Sequence, residues 1–258
     1  MDIFGNPAKI LQHISPRIVF NNRQKTGEIL GDNLKKHFKS SKKKEYSMNV
    51  NSLLVIGIPR GGLVVANEIA QKLGCDLDIT YPVRILSSDN ETTIGSILIL
   101  NSLIEPYDID SKNPGNNFLI YANDEKAEVY IDRNKERILK NSLEKFKKFG
   151  SVSHKSIKDK TVIVVDDGVF SGATAITALR WIRTQEPENL IFATPVAPLD
   201  IANKIKEDSK ISLDHLEILK VRPSFDYRSV DYYYKNFEDV EDDYINSIIR
   251  NAKIDLTT

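Results

Sequence analysis

The chain contains 258 residues, of which 41% are hydrophobic, and this length allows one large α/β domain or two small ones. Lys and Arg number 36 and are balanced by 36 Asp and Glu residues, so the net charge does not indicate a nucleic acid or an acidic membrane surface as a partner. The single cysteine, Cys75, excludes an internal disulfide, and no apolar run approaches the roughly 18 residues that a membrane-spanning helix needs. We therefore expect a soluble, cytoplasmic protein that binds neither nucleic acid nor membrane.

The first segment, residues 1–45, is predicted to be an N-terminal extension ahead of an α/β core at 46–225. Within the extension, Asn21–Phe38 carries apolar residues along one side and is predicted to be a helix. The polar residues 42–48 connect this helix to the core.

Leu53–Leu73 (LLVIGIPRGGLVVANEIAQKL) reads as a buried strand, a glycine loop and an amphipathic helix. Pro59 removes one N–H group, whereas Arg60, Gly61 and Gly62 offer a cation and unobstructed backbone donors. A helix amino terminus with exposed N–H groups is an anion site. The loop is therefore a candidate anion cradle, and alone it could equally be a tight turn between strand and helix.

The next segment is predicted to begin with a strand over Leu77–Val83, followed directly by Arg84. Residues 85–123 form a long stretch with many turn residues, and loops of this length are usually functional or disordered. A small hairpin without a catalytic part is the alternative. Asp124–Phe149 carries an apolar stripe at helical spacing and is predicted to be one long helix.

The most informative stretch is Thr161–Thr184 (TVIVVDDGVFSGATAITALRWIRT), an apolar strand, a loop and a helix. Asp166 and Asp167 stand at the carboxyl end of the strand, where a helix amino terminus also opens. A phosphate with hydroxyl groups nearby would satisfy both features, so the stretch favours a sugar phosphate. An ordinary helix capped by an acidic residue is the alternative. The candidate phosphate-binding residues are Gly168, Val169, Phe170, Ser171, Gly172, Ala173 and Thr174.

Three further elements follow, a strand over Asn189–Ala197, a helix over Leu199–Glu207 and a strand over Leu216–Val221. Strands that alternate with helices predict an α/β fold with a mainly parallel sheet and helices on both faces. Ligands in such sheets bind at the carboxyl ends of the strands, where both loops are expected to lie.

Residues 226–258 are predicted to form a C-terminal aromatic segment and a helix. A tyrosine cluster can stack a nucleobase, but we favour a structural role, either packing of this terminal segment on the core or a contact between the subunits of a homodimer. The aromatic cluster consists of Tyr227, Tyr232, Tyr233, Tyr234 and Phe237.

Residues 162–174 (VIVVDDGVFSGAT) closely resemble the signature with which type I phosphoribosyltransferases bind 5-phosphoribosyl 1-pyrophosphate (PRPP). GIPRGG, at residues 57–62, resembles the pyrophosphate loop of an uncharacterised branch of that family. Phe20, Arg23 and Thr26-Gly27 match the opening of the same branch. The resemblance implies the type I fold with a hood segment at about 85–123, which closes over the substrates.

The same resemblance implies transfer of a phosphoribosyl group from PRPP to a small-molecule acceptor, with Mg²⁺ and with release of pyrophosphate. Asp166, Asp167 and Arg60 would be the catalytic residues. The two aspartates would accept hydrogen bonds from the ribose hydroxyls and meet the metal indirectly, through those hydroxyls or water. Residues 168–174 would bind the 5-phosphate, and the pyrophosphate would be bound by Pro59, Arg60, Gly61, Gly62 and Arg84.

Two departures from the family pattern bear on the acceptor. Val83-Arg84 supplies one cation where the branch has a pair, and Val169 or Phe170 stands where some purine-salvage members have an acidic residue. No general base is evident, and the acceptor stays open. A protein that senses PRPP or a nucleotide without turnover is the alternative to an enzyme, although neither a helix-turn-helix pattern nor a basic face accompanies the core. The four histidines, His13, His37, His154 and His215, lack metal-ligand spacing.

Overall fold

The computed structural model describes residues 20–40, 50–100, 118–149, 155–252 and 254. The helices are α1 (Arg23–Ser40), α2 (Gly61–Leu73), α3 (Glu125–Arg133), α4 (Lys135–Phe149), α5 (Ala173–Arg183), α6 (Leu199–Glu207) and α7 (Asp242–Asn251). The strands are β1 (Leu53–Gly57), β2 (Asp76–Ile79), β3 (Val83–Leu86), β4 (Thr93–Ile99), β5 (Phe118–Ala122), β6 (Thr161–Val165), β7 (Asn189–Pro198) and β8 (His215–Arg222). Short 3₁₀ turns lie at Val50–Ser52, Ser224–Asp226 and Val230–Tyr233.

The main sheet has five parallel strands in the order β2-β1-β6-β7-β8. Every residue of β1, β6 and β7 is buried, as expected for strands that are covered on both faces. Apolar residues of α1, α2 and α7 pack on one face, and those of α5 and α6 pack on the other. The predicted α/β fold with helices on both faces of a mainly parallel sheet is confirmed.

A second sheet of three antiparallel strands, in the order β3-β4-β5, begins at Val83 and otherwise lies in the segment expected to form the hood. Its apolar residues pack against α3 and α4 in a separate cluster. The Ser96 hydroxyl of β4 donates a hydrogen bond to the Ala173 carbonyl at 2.9 Å and also bonds the Thr177 hydroxyl. The small sheet is therefore attached to the first turns of α5, beside the candidate phosphate loop.

Two predicted elements are wrong in their extent. The strand expected over Leu77–Val83 is two strands in different sheets, β2 and β3, because Pro82 has no N–H group with which to continue a ladder. Arg84 consequently lies within β3 of the small sheet. The single helix expected over Asp124–Phe149 is interrupted at Asn134, where α3 has ended and α4 has not yet begun. The apolar stripe continues through both helices, so the sequence pattern does not indicate this break.

Among the described helices, none combines the length and the apolar character that crossing a bilayer demands.

Candidate functional site

Two loops meet where the central strands β1 and β6 end, the first loop at Pro59–Gly62 and the second loop at residues 166–174. The backbone N–H of Ile58 donates to the Val165 carbonyl at 2.9 Å, which joins the two strand ends. A Cβ atom added to Gly62 would lie 2.8 Å from the Asp166 Cα atom and 2.8 Å from the Val165 carbonyl oxygen. The loops therefore touch, and only glycine fits at this contact.

The first loop, Pro59–Gly62, presents its glycines to the second loop and its charged side chain to the rim. Gly61 is the first residue of α2, and a Cβ atom there would lie 1.8 Å from Oδ2 of Asp167. The Arg60 guanidinium points to the C-terminal helix, with Nη1 3.5 Å from Oδ1 of Asp242. Both side chains of this pair are more than 40% exposed, so the pair contributes little to stability.

Asp166 and Asp167 lie side by side at the end of β6 and are both partly exposed. The Asp167 N–H donates to Oδ1 of Asp166 at 2.9 Å. Burial raises the pKa of the Asp166 carboxyl well above its ordinary value, and the neighbouring Asp167 charge raises it further, whereas the positive charge of Arg84 lowers it. Arg84, although it belongs to the small sheet, therefore acts on Asp166.

Residues 168–174, the phosphate-binding part of the second loop, divide their side chains between the core and the solvent. Val169 is buried, and its N–H donates to the Val196 carbonyl at 2.9 Å, so this N–H is engaged within the protein. Phe170 is 62% exposed. Gly172 precedes α5 with a φ of +75°, a backbone conformation that favours glycine. Ala173 and Thr174 form the first turn of that helix, and the Ser171 hydroxyl accepts from the Ala173 N–H at 3.4 Å.

The C-terminal segment lies over this second loop. A Cβ atom on Gly168 would lie 2.3 Å from a methyl carbon of Val230, so the 3₁₀ turn packs directly on the loop backbone. The Tyr234 hydroxyl donates to the Asp167 carbonyl at 2.7 Å. The residue that precedes α1 by three positions joins the same place, because Phe20 donates its N–H to the Tyr233 carbonyl and accepts from the Lys235 N–H, both at 2.7 Å.

Packing of the aromatic cluster on the core is confirmed for Tyr233 and Tyr234, which are 3% and 6% exposed and share a cluster with Phe20 and Val196. Tyr227 differs, because its hydroxyl is buried and has no hydrogen-bond partner among the described residues. Burial also raises the pKa of Tyr227 strongly. Its ring lies 6.1 Å from that of Phe170, measured between centroids, so an aromatic corner borders the second loop.

The Arg23 side chain contacts the site, although the sequence pattern does not indicate this. Its Nε donates to Oδ2 of Asp167 at 2.6 Å, and its side chain is 11% exposed. The only sequence signal is the Phe20, Arg23, Thr26-Gly27 pattern, which indicates a family resemblance but no position in space. For Tyr234 and Phe237 the sequence likewise indicates an aromatic cluster but not a place in the site.

The described histidines lie away from this site. The rings of His37 and His215 stack at 3.8 Å between α1 and β8, and Nε2 of His215 lies 3.2 Å from Oε2 of Glu217. Burial lowers the pKa of His37. His13 and His154 fall outside the described residues.

Within the described ranges, no group of three or more His, Cys, Asp or Glu side chains forms a metal site. Mg²⁺ commonly takes one or two carboxylates together with phosphate oxygens of a substrate and water. Asp166 and Asp167 fit that kind of binding, in which a phosphorylated ligand supplies the remaining oxygens.

A family model and a curated relative indicate the same family for this chain. The family model described as phosphoribosyl transferase domain matches residues 26–235. A Mycobacterium tuberculosis protein named "Putative phosphoribosyl transferase Rv0571c" is 24% identical over 211 residues, which are 79% of this chain and 43% of that protein. The chain thus spans less than half the length of this curated relative.

The solved structure of TT1426 from Thermus thermophilus has the same fold, with a TM-score of 0.59 and 24% sequence identity. The match covers 90% of this chain and 98% of that one.

Proposed function

This chain belongs to the phosphoribosyl transferase domain family, and on that premise we propose that it transfers the phosphoribosyl group of PRPP to a nitrogenous base and releases pyrophosphate. The observation that carries the proposal is the contact between the two loops. Gly61 and Gly62, at a helix amino terminus, lie against Asp167 and Asp166. A ribose with phosphates at both ends fits a site with an anion cradle on each side of two carboxylates.

The donor would bind through groups remote from the bond that breaks. Residues 168–174 would hold the 5-phosphate at the start of α5, and this binding energy orients the anomeric carbon. Since the Val169 N–H is bonded to Val196, the donors for the phosphate would come from the rest of the loop, from Ser171 to Thr174.

Departure of pyrophosphate leaves positive charge on the ribose ring and negative charge on the leaving oxygens. Asp166 and Asp167 would accept hydrogen bonds from the ribose hydroxyls and place negative charge near the ring. The N–H groups of Gly61 and Gly62 would stabilise the leaving group at the amino terminus of α2. Bound Mg²⁺ would neutralise part of the charge on the phosphate oxygens.

Arg60 and Arg84 have different parts in this scheme. Arg84 acts on Asp166 through its charge, and its guanidinium would add positive charge to the pyrophosphate side of the site. Arg60 is paired with Asp242 at the rim, and because this exposed pair is weak, the guanidinium can exchange Asp242 for a phosphate when the donor binds.

The aromatic corner supports a planar acceptor. Phe170 of the second loop exposes its ring to solvent, and the neighbouring Tyr227 has a buried hydroxyl without a hydrogen-bond partner in the described structure. A flat heterocycle would stack on the ring and could satisfy the hydroxyl. The loop offers no carboxylate after Asp167 to take a proton from the acceptor.

The test is release of pyrophosphate from PRPP and Mg²⁺ in the presence of each member of a panel of purine and pyrimidine bases, with PRPP affinity measured separately by calorimetry. We expect PRPP to bind and one class of base to promote release. If PRPP binds but none of the bases promotes release, the enzyme proposal is wrong and the protein is a PRPP-binding module. If PRPP does not bind, the assignment of both loops is wrong.

A further inference from the structure

Arg23 occupies the junction of the two loops. Its Nε donates to Oδ2 of Asp167 at 2.6 Å, and a Cβ atom on Gly61 would lie 2.6 Å from the same Nε atom. The guanidinium therefore contacts the second aspartate and the backbone of the first loop together. No other described arginine makes both contacts.

The guanidinium is fixed on its remaining sides by the C-terminal segment. Nη1 donates to the Glu238 carbonyl at 2.8 Å, and the Arg23 Cζ atom lies 3.6 Å from the centroid of the Phe237 ring. A carboxylate, a carbonyl and a ring face thus hold one planar cation whose side chain is 11% exposed. Such a setting suits arginine and not lysine, because it uses separate donors in a fixed plane.

Helix α1 is in turn fixed to α2, the helix that begins at the first loop. A Cβ atom on Gly27 would lie 2.6 Å from the Val65 carbonyl oxygen, and one on Gly31 would lie 2.9 Å from Cβ of Lys72. This close approach leaves little freedom for α1 to slide over α2. Arg23 consequently keeps its place relative to Gly61.

Two roles are compatible with this partly buried ion pair. It can simply fasten α1 and the C-terminal segment to the core, or it can set the direction of a carboxylate that a ligand uses. The second role is favoured because Asp167, the residue with which Arg23 pairs, is one of the two carboxylates between the two candidate anion sites. Arg23 holds Oδ2 of Asp167 and thereby fixes the plane of this carboxylate. It also adds positive charge where a polyanionic donor must approach two aspartates.

We propose that Arg23 is a positioning residue that orients the Asp167 carboxylate toward the 2-hydroxyl of the ribose in the phosphoribosyl donor. The inference rests on the proposed function, because it assumes that a ribose phosphate binds between the loops. Its specific consequence is that Arg23 determines the preference for ribose over deoxyribose at this site.

The experiment measures the affinities of the full chain for PRPP, ribose 5-phosphate and 2-deoxyribose 5-phosphate by calorimetry. The Arg23→Gln variant is compared with wild type and with Lys25→Gln, which removes the same charge from an exposed position in the first turn of α1. Wild type and Lys25→Gln are expected to bind ribose 5-phosphate about tenfold more tightly than the deoxy sugar, the value of one hydrogen bond to a charged group. Arg23→Gln is expected to lose most of this preference.

A merely structural role would weaken both sugars equally, so a preference that survives in Arg23→Gln overturns the inference while leaving the proposed function intact. If wild type binds neither PRPP nor ribose 5-phosphate, the proposed function and this inference both fall. Should Arg23→Gln not fold, Phe237→Leu removes the ring beneath the guanidinium and keeps the ion pair. Without the ring face that fixes its plane, the guanidinium holds Asp167 less firmly, so the preference should fall about threefold. An unchanged preference in that variant overturns the inference.

Discussion

The two loops at the carboxyl edge of the sheet share a strand-loop-helix construction but use their residues differently. In residues 168–174, Val169 enters the core and Phe170 enters the solvent, and Val230 covers Gly168. In residues 59–62, the two glycines have no room for side chains because Asp166 and Asp167 occupy that space. The second loop therefore carries the two carboxylates, while the glycines of the first loop contribute backbone and close approach.

The largest expected effect comes from removing the charge on the second loop. Asp166→Asn together with Asp167→Asn keeps the side-chain shapes but replaces two charged hydrogen-bond acceptors, each worth about 1.5–3 kcal/mol. We expect PRPP affinity, measured by calorimetry, to fall by about 100-fold or more. Asp132→Asn, at an exposed position of α3, is the control and should bind normally. Unchanged affinity in the double variant would contradict the central role of the aspartates.

Substitution in the first loop tests whether the loops act as one unit. From the sequence alone, a side chain at Gly61 should damage only the pyrophosphate side. The structure predicts otherwise, because a Cβ atom there would meet both Asp167 and Arg23. We expect Gly61→Ala to weaken PRPP and ribose 5-phosphate alike, by about tenfold or more, since one charged hydrogen bond is disturbed.

The control for this prediction is Gly74→Ala at the other end of α2. Gly74 also needs its own backbone conformation, with a φ of +70°, but a Cβ atom there would meet no atom within 4 Å. That variant should lose about 1–2 kcal/mol of unfolding free energy and retain its affinity for both ligands. A selective loss of PRPP affinity in Gly61→Ala would show that the loops act independently.

The exposed residue of the second loop should affect the acceptor alone. Phe170→Ala removes a ring that is 62% exposed and that borders Tyr227. If the acceptor stacks there, its KM should rise about two- to tenfold, as expected for the loss of one aromatic pair. The affinity for PRPP should not change. Weaker PRPP binding would instead mean that Phe170 supports the loop and not the acceptor.

The sequence predicts the part of the site that local pattern determines. Gly61, Gly62, Asp166 and Asp167 each follow an apolar strand, and adjacent parallel strands bring their carboxyl ends together. Arg23 could not be placed in the same way, because 144 residues separate it from Asp167 and its contact depends on where α1 packs. The contact between Tyr234 and Asp167 depends likewise on how the C-terminal segment crosses the sheet edge.

The smallest expected effect concerns stability, and it separates the two aspartates of the second loop. Because the folded protein raises the pKa of Asp166 above its ordinary 3.8, the unfolded chain releases this proton at a lower pH than the folded chain does. Wild type should therefore lose stability relative to Asp166→Asn as the pH rises above 4. At pH 7 we expect this single variant to be more stable by about 0.5–2 kcal/mol, the size typical of a single stabilising substitution.

Denaturant unfolding at a series of pH values measures this difference, which should shrink toward pH 4. Asp167→Asn should not share the gain, because it leaves the Arg23 guanidinium, only 11% exposed, without its charged partner. Equal stabilisation by both substitutions would mean that the Arg23 pair contributes nothing to holding the loops together. Opposite signs would show that one carboxylate of the second loop destabilises the fold, while its neighbour fastens the second loop to α1 and to the first loop.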